Sequence, residues 1–234
     1  MKTIIGQDFR MSQDRGNAIF EDIRFKSCSF DNCALSLVKN PARMSRVHNV
    51  EISGCRATHC EIGPTVFEDV RIEDLATNPI LLVWACTFRH VRLAGKIGTL
   101  NINAPPHAFC TDERMLAGFE MARDLFYRET DWALDISEAR FLALRCEGVP
   151  LHLVRRDPST QVVLHKSRFP GMHAFDAGFA AAFPIAWSVI GSFAESDNQA
   201  MLMVVPLAAP KSRRDDYAGA IAELRRMGCL DDGV

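Results

Sequence analysis

Eight cysteines and seven histidines are the residues of this 234-residue chain best suited to hold a metal or attack a substrate. Cys28/Cys33 and Cys55/Cys60 form two Cys-x4-Cys pairs, whereas structural zinc sites favour Cys-x2-Cys or a matched histidine spacing. The histidines, at 48, 59, 90, 107, 152, 165 and 173, repeat at no ligand interval. The expectation is no metal and no cofactor. His59 and Cys60 are neighbours, but Cys60 falls on an inward position and His59 is expected to face solvent. No Gly-x-Ser-x-Gly, His-Glu-x-x-His or Gly-x-Gly-x-x-Gly motif occurs. Gly95-Lys96-Ile97-Gly98-Thr99 has the wrong order and spacing for a phosphate loop. Dispersed catalytic residues leave no local motif. His107, Asp112, Asp131 and His173 are therefore the suspects for an enzyme reading, because they lie in or beside segments that break the chain's regular pattern.

That pattern has a period of five. Phe20, Phe25, Phe30 and Leu35 recur every fifth residue, and Ala18, Ile23, Cys28 and Cys33 stand two places before each. A helix repeats its apolar face near 3.6 residues and a strand at 2, so a period of five needs a chain that turns a corner after each short extended step. The beat returns at Ile52, Ala57, Ile62, Phe67 and Ile72, then at Phe88 and Leu93. It resumes at Ile136, Phe141, Cys146 and Leu151, with a weaker pair at Val162/Leu164 and Ser167/Phe169. The intervening positions are mostly polar, as in Glu21-Asp22, Asp31-Asn32, Glu68-Asp69 and Glu73-Asp74. Apolar pairs separated by wet triplets are the signature of a solenoid, in which each repeat buries its face only against its neighbours. Six of the cysteines (28, 33, 55, 60, 86 and 146) occupy inward positions, where a free thiol packs as a small hydrophobe.

These runs resemble the pentapeptide-repeat proteins, whose unit is a small residue, Asp or Asn, Leu or Phe, then two variable residues. The resemblance covers most of residues 18–103 and 132–169. It implies an all-β solenoid: a right-handed, square parallel β-helix with four five-residue sides per coil. The sequence departs from the family in its small-residue slot, which holds Cys, Val, Ile or Leu more often than Ala. The breaks at 36–49, 73–85, 94–133 and 152–161 are read as bulged corners or insertions.

Residues 1–17 read as a lead-in or cap. In the 104–131 insertion, Thr111 followed by Asp112 and Glu113 marks a helix start, and Met115, Phe119, Ala122 and Phe126 share a face, which predicts a helix over about 112–128. Such a helix could cover an open β edge. From 171 the character changes. Ile185–Gly191 and Ala200–Leu207 read as two strands of a hairpin, and Ser212-Arg-Arg-Asp215 as a capping box before a helix stopped by Gly228. The expected organisation is a β-helix over 1–170 with the inserted helix, then a hairpin-plus-helix element over 171–234 that caps the solenoid or joins two copies.

A formal charge of −2 excludes a basic nucleic-acid binder and a strongly acidic mimic of DNA. The start Met-Lys-Thr-Ile-Ile-Gly-Gln-Asp has no signal-peptide apolar run, and the uncharged stretch 177–194 is broken by Pro184, Gly178 and Gly191, so no membrane span is expected. The chain reads as a cytoplasmic monomer or homodimer. The slot before the apolar centre holds arginine at Arg24, Arg56, Arg71, Arg92, Arg140 and Arg145. A planar guanidinium recognises carboxylate or phosphate, so a stripe of them would suit an acidic protein partner; alternatively, acids on neighbouring coils pair with them. The leading expectation is a non-catalytic protein-binding module with a rigid face. Analogy of fold extends this to bacterial immunity or target protection. Two other readings remain: an enzyme whose site joins solenoid, insertion and C-terminal element, and a structural subunit with an apolar patch over 172–207.

Overall fold

A computed structural model describes residues 1–104, 112–175 and 177–231. Most strands are parallel, and four α-helices occur among the described residues: α1 (Glu113–Arg128), α2 (Ala177–Ala182), α3 (Pro184–Glu195) and α4 (Lys211–Arg226).

The parallel strands stack with a near-constant step. Lys2 aligns with Ile23, Ile23 with Val50, Val50 with Val70, Val70 with Val91, Val91 with Leu134, and Leu134 with Val154. The steps are 21, 27, 20, 21, 43 and 20 residues. The two long ones contain the extra turn at Pro41–Arg43 and the α1 insertion. A second set of strands, Asp8–Arg10, Ser29–Asp31, Arg56–Thr58 and Ala76–Asn78, stacks in the same parallel sense.

Corners occur where the five-residue beat puts them. Asp22, Ser27 and Asn32, then Asn49, Gly54 and His59, then Asp69 and Asp74, then Ala85, His90 and Gly95 all have positive φ near +50 to +67. Asp, Asn, His and Gly tolerate this left-handed backbone better than other residues, which accounts for the acid-rich outer triplets. Between corners the centres point inward. Phe67, Val70, Phe88, Val91, Ile136 and Phe141 are buried, and Phe20, Phe25 and Phe30 pack against the same core. The described cysteines are free thiols, and Cys28, Cys55, Cys60, Cys86 and Cys146 pack in this core; burial pushes the thiols of Cys86 and Cys146 up to about 12. Cys110 lies outside the described residues.

Three expectations need correction. Of the two readings of residues 1–17, the lead-in falls and the cap stands: Lys2–Ile5 and Asp8–Arg10 end the two parallel sheets by pairing with the first repeats, and Ile4 and Phe9 reach the core. Strand pairing runs on through residues 94–103, the first part of the break read at 94–133: Thr87–Asn103 is one strand aligned with Leu134–Cys146. The last repeat pair does not join the stack. Gln161–His165 pairs antiparallel with Ala200–Val204 and Leu230–Asp231, and Ser167 lies in a 3-10 turn.

The hairpin read at 185–191 is also overturned, since those residues belong to α3. Pro184 stands at the first helical position, where its missing N–H costs nothing. Ala186, Ile190 and Phe193 then bury one face. The capping box at Ser212 is not formed: α4 begins at Lys211, with no side-chain cap at Pro210, and Asp216 instead accepts from the amides of Ile185 (3.1 Å) and Ala186 (2.8 Å) at the start of α3. Gly228, with φ +73, does follow the end of α4.

The antiparallel sheet lies between two cores. Val163, Leu202 and Val204 face the parallel stack, whereas Val162, Leu164 and Met203 face the helices. This is the period-2 alternation of a sheet covered on both sides. Gln161 Nε2 donates to the Ile136 carbonyl (2.9 Å) and Ala208 N to the Phe141 carbonyl (2.9 Å), tying the two parts together. Among the described residues, no helix is long and apolar enough to cross a membrane; the 177–194 stretch forms α2 and α3 instead.

Candidate functional site

The registers sort the six arginines. Arg24, Arg71 and Arg92 share an outward row that reads Thr3, Arg24, Glu51, Arg71, Arg92, Asp135, Arg155. Arg56 aligns with Ser29 and Ala76, Arg140 with Lys96, and Arg145 with Asn101, so these three lie on other rows. Arg24 makes a two-point pair with Glu51, whose carboxyl that hydrogen bond holds below its ordinary value. Arg92 sits 2.7 Å from Glu138, Arg71 3.3 Å from Glu73, and Arg145 2.6 Å from Glu147. Exposed pairs of this kind contribute about 0–1 kcal/mol each. The row is thus of mixed charge, with its cations answered by neighbouring acids.

A different set of side chains converges around α1. Pairing with Leu134–Cys146 begins only at Val91, which leaves Thr87–Arg89 at a sheet edge. Helix α1 covers that edge. Asp112 accepts from Arg114 N at its start, and Leu116, Phe119 and Tyr127 are buried beneath it. Phe88 N donates to Tyr127 Oη (3.3 Å), so a side chain of the insertion stands in for a strand partner there, and the Arg89 side chain donates from Nε to Thr130 Oγ1 (3.4 Å). Burial raises the Tyr127 phenol above its ordinary value.

Between α1, the Pro41–Arg43 turn and the outer face of the sheet lies a cleft of about 440 Å³. Its floor is a row of aligned residues, Arg46, Val66 and Thr87, continued at its open end by Ile19. Three strand spacings make this row about 14 Å long. Phe119, Ala122, Leu125 and Phe126 form the helical wall. Leu125 is 60% exposed, and Met121, one turn earlier, 72%. Three guanidiniums enter the lining, those of Arg46, Arg89 and Arg123, against one lining carboxylate, Glu129. Arg89 stacks over the Phe126 ring (4.6 Å) and is braced by Glu68 (3.1 Å), which also lies 3.8 Å from Arg46. Thr87 is 4% exposed, yet its hydroxyl has no hydrogen-bond partner. Leaving such a group buried costs about 1–3 kcal/mol.

Where the insertion returns to the sheet, His90 lies between two carboxylates. Its Nδ1 is 3.1 Å from Asp69 and its Nε2 2.7 Å from Asp131. A neutral imidazole has one N–H and can donate to only one of them, so this geometry calls for the imidazolium. The hydrogen bond that His90 donates to Asp131 accordingly raises the His90 pKa above its ordinary value and lowers that of Asp131 below the usual carboxylate value. Trp132 stacks on His90 (ring centroids 4.8 Å apart), and Arg155 lies over Trp132 (4.3 Å). The stability His90 contributes is fully present below its unfolded value of about 6.5 and is lost as pH rises through the folded value. The Asp131 contribution is present above about 3.8 and is lost as pH falls through its lowered folded value. In calorimetry, the melting-temperature gap between wild type and His90→Asn is expected to be widest near pH 5–6 and to narrow towards pH 8–9. Asn is chosen because it tolerates the positive φ of residue 90. A gap independent of pH would mean that His90 carries no charge in the clamp.

Among the described enzyme suspects, Asp112 and Asp131 stand at opposite ends of α1. Asp112 caps the start of α1 and Asp131 follows its end, and 16 residues of helix separate them by about 24 Å. His173 is exposed in a 3-10 turn, and His107 lies outside the described residues. His59 is an exposed corner residue. Over 172–207, Ile185 is the one strongly exposed large apolar residue among those described; the exposed apolar side chains beside the cleft are Ile19, Met121 and Leu125. Sequence reasoning missed Arg46, Thr87, Arg89 and Arg123. Their signal was faint but present: Ile19 and Val66 are apolar residues in outward slots of the five-residue beat. In comparisons with known proteins, no family model matches the chain and no curated protein matches it.

Proposed function

We propose that this chain is a non-catalytic protein-binding module built on a degenerate, right-handed, quadrilateral β-helix of the pentapeptide-repeat type, acting in the cytoplasm. The repeated steps of 20 or 21 residues and the left-handed corners five residues apart support that fold. The observation that carries the function is the cleft along α1, which runs into the exposed side chains of Leu125, Met121 and Ile19. Isolated exposed apolar side chains need no explanation, but a run beside a preformed groove suits an interaction surface. A stacked β scaffold loses little freedom on binding, so contact energy is not spent on ordering it. The mixed row of Arg24, Glu51, Arg71 and Arg92 flanks this surface as a pattern of charges that selects among partners more than it attracts them. A role in bacterial immunity or target protection is compatible with such a module and rests on analogy of fold.

The test is affinity capture from native extract with wild-type and Leu125→Arg proteins of matched thermal stability. The expected result is one stoichiometric protein held by wild type and lost by the variant. No partner, or a partner held equally by both, would overturn the assignment of this flank.

A further inference from the structure

We propose that two copies of this chain join end to end at their first strands, with Asp8–Arg10 of each pairing antiparallel across a two-fold axis through Phe9. Lys2–Ile5 and Asp8–Arg10 are the last strands of their sheets, each paired on one side only among the described residues. The other edge of such a strand presents N–H and C=O groups with no ladder partner, which a further strand satisfies in register. Ile5 and Met11, at the two ends of Asp8–Arg10, are 70% and 80% exposed, and Met1 is 50% exposed. Large apolar side chains beside an open strand edge are a combination that invites pairing with another chain.

The residues of Asp8–Arg10 select the occupant. Phe9 ends an inward ladder of aligned residues that continues through Phe30, Ala57 and Thr77. It stacks on Phe30, with ring centroids 5.0 Å apart and planes 7° apart, and is only half-buried. An axis through Phe9 sets the second copy's ring one strand spacing away, about 4.8 Å, so the aromatic ladder continues across the contact. Antiparallel strands run in reverse order about their centre, so the same axis places Asp8 of each copy directly opposite Arg10 of the other. Both side chains are exposed and neither is spent on an ion pair. Asp8 accepts from the Ser29 hydroxyl. Arg10 aligns with Asp31 but makes no ion pair among the described residues; Asp31 accepts from Asn32 Nδ2 (3.1 Å) instead. A two-fold contact must be self-complementary, and a strand that reads acid, aromatic, base is so about its centre. The contact is one coil end wide, which suits micromolar association rather than a tighter complex.

The experiment is analytical sedimentation of the tag-free full chain over about 1–200 µM. Wild type is expected to show a concentration-dependent equilibrium between monomer and dimer. Arg10→Asp and Asp8→Arg each set like charges opposite one another twice, and each should weaken self-association at least tenfold. Mixing these two variants restores both opposite-charge pairs, and a heterodimer within about threefold of wild-type strength is expected. The exchange of both residues in one chain, Asp8→Arg with Arg10→Asp, should likewise recover the dimer. Thermal melts confirm that every variant folds. A chain that stays monomeric at every concentration would overturn the proposal and leave this end to a strand of a different protein. A dimer that both single variants retain would overturn it too. Loss in both single variants without recovery on mixing would overturn the pairing through Phe9. A dimer kept in Arg10→Asp but lost in Leu125→Arg would put the contact on the α1 flank, against the proposal.

Discussion

Phe141→Ala is expected to lower stability by about 3–5 kcal/mol, the largest effect of any single side-chain truncation in the stack. Phe141 is 0% exposed and aligns with Ile97, itself 1% exposed. Its ring fills the interior on an inward beat, and neighbours such as Ile97, fixed in register on the adjoining strand, have little freedom to close over a void. Its carbonyl meanwhile accepts Ala208 N, so the same residue joins the stack to the C-terminal sheet. Against a typical total of about 5–15 kcal/mol, such a loss removes a large share of the margin. Urea denaturation measures it. Phe141→Leu, which retains most of the volume, should cost less than about 1.5 kcal/mol. Equal losses for the two variants would contradict a cavity as the cause, and a loss under 1 kcal/mol for alanine would contradict the packing described.

Asp216→Ala should cost about 2–3 kcal/mol, since hydrogen bonds to a charged acceptor contribute about 1.5–3 kcal/mol. The carboxylate, 8% exposed, reaches from α4 to the amides of Ile185 and Ala186. Phe183, the residue before α3, makes no side-chain cap bond, so Asp216 serves this helix start from a distant part of the chain. Its charge also opposes the positive end of the helix dipole. Asp216→Asn keeps one acceptor oxygen and should retain part of the effect. Hydrogen exchange gives the local readout: the Ile185 and Ala186 amides should lose protection in the alanine variant. Unchanged protection, even with a lower melting temperature, would show that Asp216 acts elsewhere.

The parts legible in the sequence were those encoded within one five-residue side or one helical turn. The beat named the inward residues, since Phe67, Phe88, Ile136 and Phe141 are buried where it places them. Asp112 at the start of α1 and Gly228 after α4 were legible because each acts on its own neighbours. The α3 segment was misread because Ile185–Gly191 is apolar almost throughout, and length and period do not separate a buried strand from a helix there. Pro184 was the missed signal. The box at Ser212 failed because α4 already begins at Lys211, which puts Ser212 inside the helix rather than at its cap.

The candidate site was illegible for a related reason. The sequence by itself determined which residues face inward, the buried Cys28, Cys55, Cys86 and Cys146 among them, and where the insertion lies. Only the tertiary structure decided which outward residues share a row, because each step from one parallel strand to the next depends on the insertions within it. A 27-residue step puts Arg24 beside Glu51, and a 20-residue step puts Glu51 beside Arg71. The same steps bring Arg46, Val66 and Thr87 under α1, a helix held there by Tyr127 and Thr130 at an edge that no local pattern marks. Inward direction is a property of each short segment, whereas adjacency across strands is set by where the buried faces meet after every insertion is accommodated.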